Sequence, residues 1–315
     1  MPTAIARSPV FLWFLAIRPV TLSLSLAPVF VGSALVVATN KPLDLAILLV
    51  TLLAAGAIQI GTNLLNDAED FERGNDGSDR RGPPRATARG WISAGAVRNA
   101  ATLSFLIAGF AGLFLIKFGG WPIFWVGIAS ILAGIAYSAG PLPISHTPLG
   151  ELFVFVFFGV LAVVGTFYLQ AGFVSLQAII AGMAMGGFAA AVLHINNTRD
   201  IEEDRRAGRR TLAIFFHDLI PRQQQKPTGS RLANAGLYAL FLLIPFVLLS
   251  VSIHFLNTEQ PVAPLWLPLL CLPNVVIAIR AFATAKTGSQ YNRMLSMTIG
   301  LQLLFATLLC VGILL

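Results

Sequence analysis

Long apolar stretches recur along the chain with only short polar interruptions. Nine can be marked, at residues 20–38, 43–65, 97–116, 122–139, 149–170, 176–195, 233–255, 265–283 and 294–315. Each approaches the roughly 20 residues that a helix needs to cross a hydrocarbon core about 30 Å thick. The pattern predicts an all-α polytopic membrane protein, a single domain over residues 1–315 with nine transmembrane helices.

Hydrophobic residues fill 56% of the 315 positions and charged residues 11%, with a mean hydropathy of +0.79, which excludes an ordinary soluble enzyme. The formal charge of +7 does not point to nucleic acid once its distribution is followed. With nine spans, all of the 21 Lys and Arg residues except Lys41 and Lys117 fall on one side of the membrane. The positive-inside rule makes that side cytoplasmic, so the N-terminus is expected in the cytoplasm and the C-terminus opposite. No small-residue cleavage site follows the apolar run beside Arg7 and Arg18, and the first helix is expected to be retained. Cys271 and Cys310 both lie in apolar runs and offer neither a disulfide framework nor a CxxC metal site.

Two cytoplasmic connections are long, 66–98 and 196–231, and each opens with acidic residues and continues into arginines. The first reads Asn63-Leu64-Leu65-Asn66-Asp67-Ala68-Glu69-Asp70 and extends to Asp76. Positions 63, 66, 67 and 70 recur at i, i+3, i+4 and i+7, so a continued second helix places all four on one face. The second reads Asn196-Asn197-Thr198-Arg199-Asp200 and extends to Asp204, with Asn196, Asp200 and Asp204 at i, i+4 and i+8. Facing stripes of carboxylates and carboxamides offer hard oxygen ligands. These suit Mg²⁺, which keeps several waters and bridges carboxylates to substrate phosphates.

Two carboxylates about 4 Å apart repel by roughly 4 kcal/mol at an effective dielectric of 20, so such clustering calls for cations. Arg85, Arg209 and Arg210 answer part of that need and are candidates to clamp phosphate oxygens. Glu69, Glu72, Glu202 and Glu203 read as interfacial anchors and solvated charges. His146 and His194, near cytoplasmic helix ends, read as packing residues. Tyr137 and Glu151 flank the short loop after the fourth span, and a carboxylate at a membrane mouth defaults to a functional reading.

Asn66-Asp67-x-x-Asp70 with Gly74-x-Asp76, and Asn196-Asn197-x-Arg199-Asp200-x-x-x-Asp204 with Gly208-Arg209-Arg210-Thr211-Leu212, resemble the two Asp-rich motifs of the UbiA superfamily of intramembrane prenyltransferases. Arg18-Pro19-x-Thr21, Gly90-Trp91-Ile92-Ser93, Tyr137-Ser138-Ala139-Gly140-Pro141 and Leu149-Gly150-Glu151 are most similar to the branch that prenylates 1,4-dihydroxy-2-naphthoate in menaquinone biosynthesis. The resemblance implies a UbiA-like bundle in a bacterial inner membrane with a cytoplasm-facing site. It implies a polyprenyl diphosphate and an aromatic acceptor as substrates, and Mg²⁺ as cofactor. On this basis Asn66, Asp67, Asp70 and Asp76 map onto the first metal-binding motif and Asn197, Asp200 and Asp204 onto the second. Asp67, Asp70, Asp200 and Asp204 are the expected catalytic carboxylates, with Asn63, Asn66, Asp76, Arg85, Tyr137, Glu151, Asn197, Arg209 and Arg210 as candidates for substrate contact.

The implied reaction is Mg²⁺-assisted loss of diphosphate, attack of the electron-rich ring on the allylic centre, and loss of the ring carboxylate as CO₂. Ala68, Glu69, His194 and Phe215-Phe216-His217 depart from the family pattern, and they bear on the acceptor rather than on the diphosphate machinery. A 4-hydroxybenzoate prenyltransferase shares the metal chemistry and is the nearest alternative. From another class, a cation-coupled transporter would place its polar residues near the bilayer midplane, whereas here they gather at helix ends.

Overall fold

Helix starts fall where a capping side chain or a proline precedes an apolar run. The computed structural model describes residues 8–75, 81–219, 227–256 and 265–315. Ser8 caps a short helix, α1 (Pro9–Ile17), and Asp44 caps α3 (Leu45–Glu72) by accepting the N–H groups of Ala46 and Ile47 at 2.8 and 3.1 Å. Between them, α2 (Pro19–Ala38) begins after Arg18, whose left-handed backbone (φ 53°) turns the chain. Asn63 of α3 fastens that joint by donating to the Ile17 carbonyl and the Thr21 hydroxyl, both at 3.0 Å.

The next helix, α4 (Ala94–Ser138), has 45 residues, but Gly120 interrupts it with φ 61° and ψ −153°, and Pro122 follows. In a straight helix Phe105 and Gly134 would stand roughly 43 Å apart at about 1.5 Å per residue. Instead the Phe105 ring abuts both Gly61 of α3 and Gly134, where added Cβ atoms would lie 3.0 and 3.2 Å from it. The chain therefore reverses at Gly120, and α4 is two arms packed against α3.

A second close approach follows. The helix α5 (Gly150–Phe155) runs through a π-helical turn (Val156–Leu161) into α6 (Ala162–Ala171), and the chain then turns at Gly172 (φ 80°) into α7 (Leu176–Arg199). Gly159 in the π turn faces Gly182 and Gly186 of α7, and a Cβ at 159 would stand 2.4 Å from the Gly186 backbone. Small residues let helix backbones approach this closely. Two short helices, α8 (Ile201–Arg206) and α9 (Leu212–Asp218), precede α10 (Pro227–Leu256), a 3₁₀ turn (Leu267–Cys271), α11 (Leu272–Thr284) and α12 (Gly288–Leu314). The central position belongs to α7, whose fully buried Phe188 packs on Phe246 and Phe305 at ring-centroid distances of 6.4 and 5.1 Å.

Eight helical segments among the described residues are long and apolar enough to cross a membrane, against the nine marked by hydropathy. The difference is α4, which holds both 97–116 and 122–139. The expected connection 66–98 is shorter than its marks, because α3 continues to Glu72 and α4 begins at Ala94. The connection 196–231 yields residues to α7 and α10 at its ends and contains α8 and α9. Asp76 lies outside the described residues.

The Gly159 contact leaves no room for a methyl group. Gly159→Ala is expected to lower the thermal midpoint of the detergent-purified protein, corresponding to about 1–3 kcal/mol. Gly236→Ala in α10, with nothing within 4 Å of its would-be Cβ, should hold the midpoint or raise stability by about 0.4–1 kcal/mol. Equal melting of the two variants would show that the seam between the π turn and α7 is loose.

Candidate active site

The polar ends of α3 and α7 border a cavity of about 840 Å³. Its polar end is formed by Asn66, Arg85, Asn196, Asn197, Arg199, Asp200, Asp204 and Arg209. From Asn66 it follows α3 past Asn63, Gln59 and Ala55 to Thr51, a depth of about 22 Å at 1.5 Å per residue. Along that path the walls become apolar, with Val29, Gly112, Gly127 and Gly165 among them. Leu115, Ile123 and Leu169 line the cavity as well and pack with Ile47 into a buried cluster.

Because α3 stays helical to Glu72, Asn63, Asn66, Asp67 and Asp70 do share a face, but their partners differ. Asp70, 5% exposed, is held between the guanidinium groups of Arg85 and Arg209 and accepts from Asn75 Nδ2 at 3.1 Å. Arg209 also reaches Asp204 Oδ1 at 3.2 Å, and its backbone N–H donates to the Asp204 carbonyl at 2.8 Å. One arginine thus joins the first acidic cluster to the second. Burial pushes the Asp204 carboxyl up to about 7 against the pull of Arg209, and the charges of Asp200, Asp70 and Glu203 add to the rise. Arg199 forks onto Asp200, with Nε and Nη2 each donating at 2.7 Å, and its Nη1 donates to Asn292 Oδ1 at 2.6 Å. A smaller cavity of about 30 Å³ lies among Asp70, Asp200, Glu203 and Asp204, with Arg85 and Arg209 in its wall. That volume exceeds the roughly 10–15 Å³ that a single water needs.

Asp67 turns away from both cavities. Its Oδ2 accepts the Ala86 N–H at 3.1 Å and its Oδ1 the Thr87 hydroxyl, which fastens the segment that carries Arg85. Arg85 in turn donates to Asn66 Oδ1 at 2.9 Å, while Asn66 Nδ2 donates to Ser138 Oγ at 3.0 Å. Arg210 is exposed and outside both linings, with its backbone N–H on the His146 carbonyl at 2.9 Å. Burial, and then the charge of Arg209, push the His146 ring down to about 4, so it is neutral near pH 7.

Tyr137 lines the main cavity beside Phe153, with ring centroids 6.4 Å apart. Glu151 stands behind the wall, accepting from Asn197 Nδ2 at 3.0 Å and facing His194 Nδ1 at 3.2 Å. Glu69 and Glu72 pair with Arg98 at 3.0 and 2.6 Å, away from both cavities. Among the described residues, no group of three or more carboxylate, histidine or cysteine side chains is placed to hold a metal ion; guanidinium groups stand between the carboxylates.

Sequence reading missed Asn292, Ser138 and Thr87. Asn292 sits in the polar opening of α12, where a helix start at a membrane surface and a site residue look alike.

The UbiA prenyltransferase family model matches residues 25–313. The chain is 37% identical over 210 residues to a 1,4-dihydroxy-2-naphthoate octaprenyltransferase of Haemophilus influenzae, covering 64% of this chain and 68% of that one. It is 31% identical over 299 residues to the 1,4-dihydroxy-2-naphthoate octaprenyltransferase of Bacillus subtilis, covering 90% of each. The solved structure of a UbiA homolog from Archaeoglobus fulgidus bound to DMAPP and Mg²⁺ shares the fold, with a TM-score of 0.61 at 15% identity over 94% of this chain and 99% of that one.

The two neighbouring arginines separate the bridge from general positive charge. Arg209→Ala is expected to weaken calorimetric binding of inorganic diphosphate by about tenfold or more. Arg210→Ala should stay within about twofold, as an exposed charge does. Equal losses would mean that diffuse charge, not the Asp70–Arg209–Asp204 geometry, holds the anion.

Proposed function

Because the chain belongs to the UbiA prenyltransferase family, we propose that it transfers a polyprenyl group from its diphosphate to 1,4-dihydroxy-2-naphthoate, with loss of CO₂, at the polar end of the cavity. The observation that carries this reading is the meeting of Asp70 and Asp204 on Arg209 at the head of a long apolar bore. A donor with an anionic head and a hydrocarbon tail matches the two ends. The naphthoate acceptor is supported by the activity for which the Haemophilus influenzae and Bacillus subtilis relatives are named.

The donor chemistry of the residues present suits Mg²⁺ once the guanidinium groups that stand between the carboxylates turn to phosphate. Asp200 and Asp204, with Asn66 and Asn197, line the polar end of the main cavity with hard oxygens, and Asp70 joins the two carboxylates in the small cavity beside it; a divalent cation would relieve the resistance of Asp204 to ionisation. These five residues would hold it. When bound, Mg²⁺ supplies charge stabilisation to the departing diphosphate.

Arg209, whose Nε is buried with no hydrogen-bond partner among the described residues, and Arg85 exchange carboxylate contacts for phosphate oxygens. Asp67 keeps the Arg85 segment in place. The bond from the allylic carbon to the diphosphate oxygen breaks with its electron pair on oxygen, and the apolar walls keep water from the carbon left behind. Tyr137 and Phe153 offer the flat acceptor a stacking surface. With the two arms of α4 read as separate spans, the one-sided distribution of Lys and Arg supports nine crossings with the N-terminus and the site on the cytoplasmic face of a bacterial inner membrane.

Purified protein in detergent, given Mg²⁺ and a labelled polyprenyl diphosphate, is offered 1,4-dihydroxy-2-naphthoate and 4-hydroxybenzoate separately. Mass analysis is expected to find a decarboxylated prenyl-naphthol from the first. Product from 4-hydroxybenzoate alone would keep the chemistry and change the acceptor, and no product from either would favour a cation-coupled transporter. Asp70→Asn and Asp200→Asn should each lower turnover by about a hundredfold in a folded protein; near-normal turnover of both at saturating Mg²⁺ would defeat the metal assignment.

A further inference from the structure

Glu151 lies just behind the cavity wall. It is 1% exposed, its Oε1 accepts from Asn197 Nδ2 at 3.0 Å and faces His194 Nδ1 at 3.2 Å, and its Oε2 is buried with no hydrogen-bond partner among the described residues. A buried carboxyl oxygen without a partner is destabilising, and its presence calls for an explanation beyond packing. The arrangement follows from the helix contacts. His194 and Asn197 are one turn apart on α7, and Gly150 on Leu193 and Gly159 on Gly186 bring the α5 segment close enough for Glu151 to reach both.

Helices from the other half of the chain hold this group still. His194 Nε2 lies 3.2 Å from the Asn234 carbonyl, which only accepts, so Nε2–H is the donor there. The imidazole stacks on Phe282 at 6.0 Å and 16°, and Phe282 stacks on Tyr238 at 4.5 Å and 14°. The Tyr238 hydroxyl meets that of Thr298 at 2.7 Å. Residues of α10, α11 and α12 thus fix where the Glu151 oxygen stands.

We propose that the Glu151–His194 pair is a positioning device: it holds the Asn197 carboxamide with its nitrogen toward Glu151 and its oxygen toward the cavity, where that oxygen serves the Mg²⁺–diphosphate group. The amide nitrogen only donates and Glu151 Oε1 accepts from it, so this contact fixes the NH₂ side of the amide toward Glu151. Asn197 lines the cavity, and with its nitrogen committed its oxygen is the atom left for a ligand. An amide free to rotate would as readily present NH₂, which no Mg²⁺ accepts. The inference rests on the metal–diphosphate reading of the cavity and gives Glu151 a role through Asn197 rather than on substrate.

An exchange of acid and amide tests it, read by calorimetry as the half-saturating Mg²⁺ concentration with inorganic diphosphate present. Glu151→Gln is expected to turn the Asn197 oxygen inward and raise that concentration about 10- to 100-fold. Asn197→Asp sets two carboxylates against each other and should weaken binding by a similar factor. Combining Glu151→Gln with Asn197→Asp reverses the hydrogen bond and returns an oxygen to the cavity, so binding should recover to within about threefold of the unaltered protein. A space-filling role gives additive losses and no recovery.

The proposal is overturned if the double variant, folded by its thermal midpoint, binds no better than the weaker single one, or if Glu151→Gln leaves Mg²⁺ binding unchanged. Should the glutamine variants not fold, Glu151→Asp withdraws the acceptor by one methylene, and an unchanged Mg²⁺ requirement there overturns it equally. Absence of Mg²⁺ binding by the unaltered protein with diphosphate would bring down the metal reading as well, and so is distinguishable from failure of the positioning role alone.

Discussion

Arg209 lies between two carboxylates that the chain brings from distant places, Asp70 near the end of α3 and Asp204 in α8. Removing one partner from a buried ion pair typically costs about 3–5 kcal/mol, because the remaining charge is left without compensation. The bridge therefore keeps the two acidic clusters at one separation, and the polar end of the cavity takes its shape from it. Arg85 completes the arrangement from the other side of Asp70, and Arg85 is itself placed by Asp67 through Ala86 and Thr87. A contact that begins inside α3 thus loops out through residues 85–87 and returns to α3.

Ionic contacts of this kind need helices that meet closely and in one register. Phe105 wedged against Gly61 and Gly134, and Gly159 against Gly186, set those distances with backbone and ring contacts that cannot stretch. The π-helical turn at Val156–Leu161 changes the phase of the α5–α6 segment between its two ends. Glu151 at one end can face α7 near the polar mouth while Thr166 and Leu169 at the other line the apolar bore.

The spacing of Asn63, Asn66, Asp67 and Asp70 was readable because α3 does continue past them. Spacing does not say which partner each side chain meets: Asn66 and Asp67 are about 100° apart around the helix, enough for one to face the cavity and the other the 86–87 backbone. The second cluster was legible by composition but not by path. The Asp200 backbone (φ −99°, ψ 10°) ends α7 and starts α8, so Asn196, Asp200 and Asp204 do not lie along one unbroken helix. Asn292 meets Arg199 from 93 residues away, and the bore is built from small residues of several helices. Neither leaves a local pattern in the chain. Hydropathy did place both arms of α4, because Gly119-Gly120-Trp121-Pro122 interrupts the apolar run where the backbone turns.

That turn decides a matter of parity. Between Asp70 and Asp204 the chain passes along the first arm of α4, the second arm, the α5–α6 segment and α7. An even number of passages brings the second carboxylate back to the side it left; an odd number would strand it at the far end of the bundle, a helix length from its partner. Gly120 has no side chain and takes part in no chemistry, yet its left-handed backbone makes the number even. A change that straightened α4 would separate the two acidic clusters without altering a single residue of either.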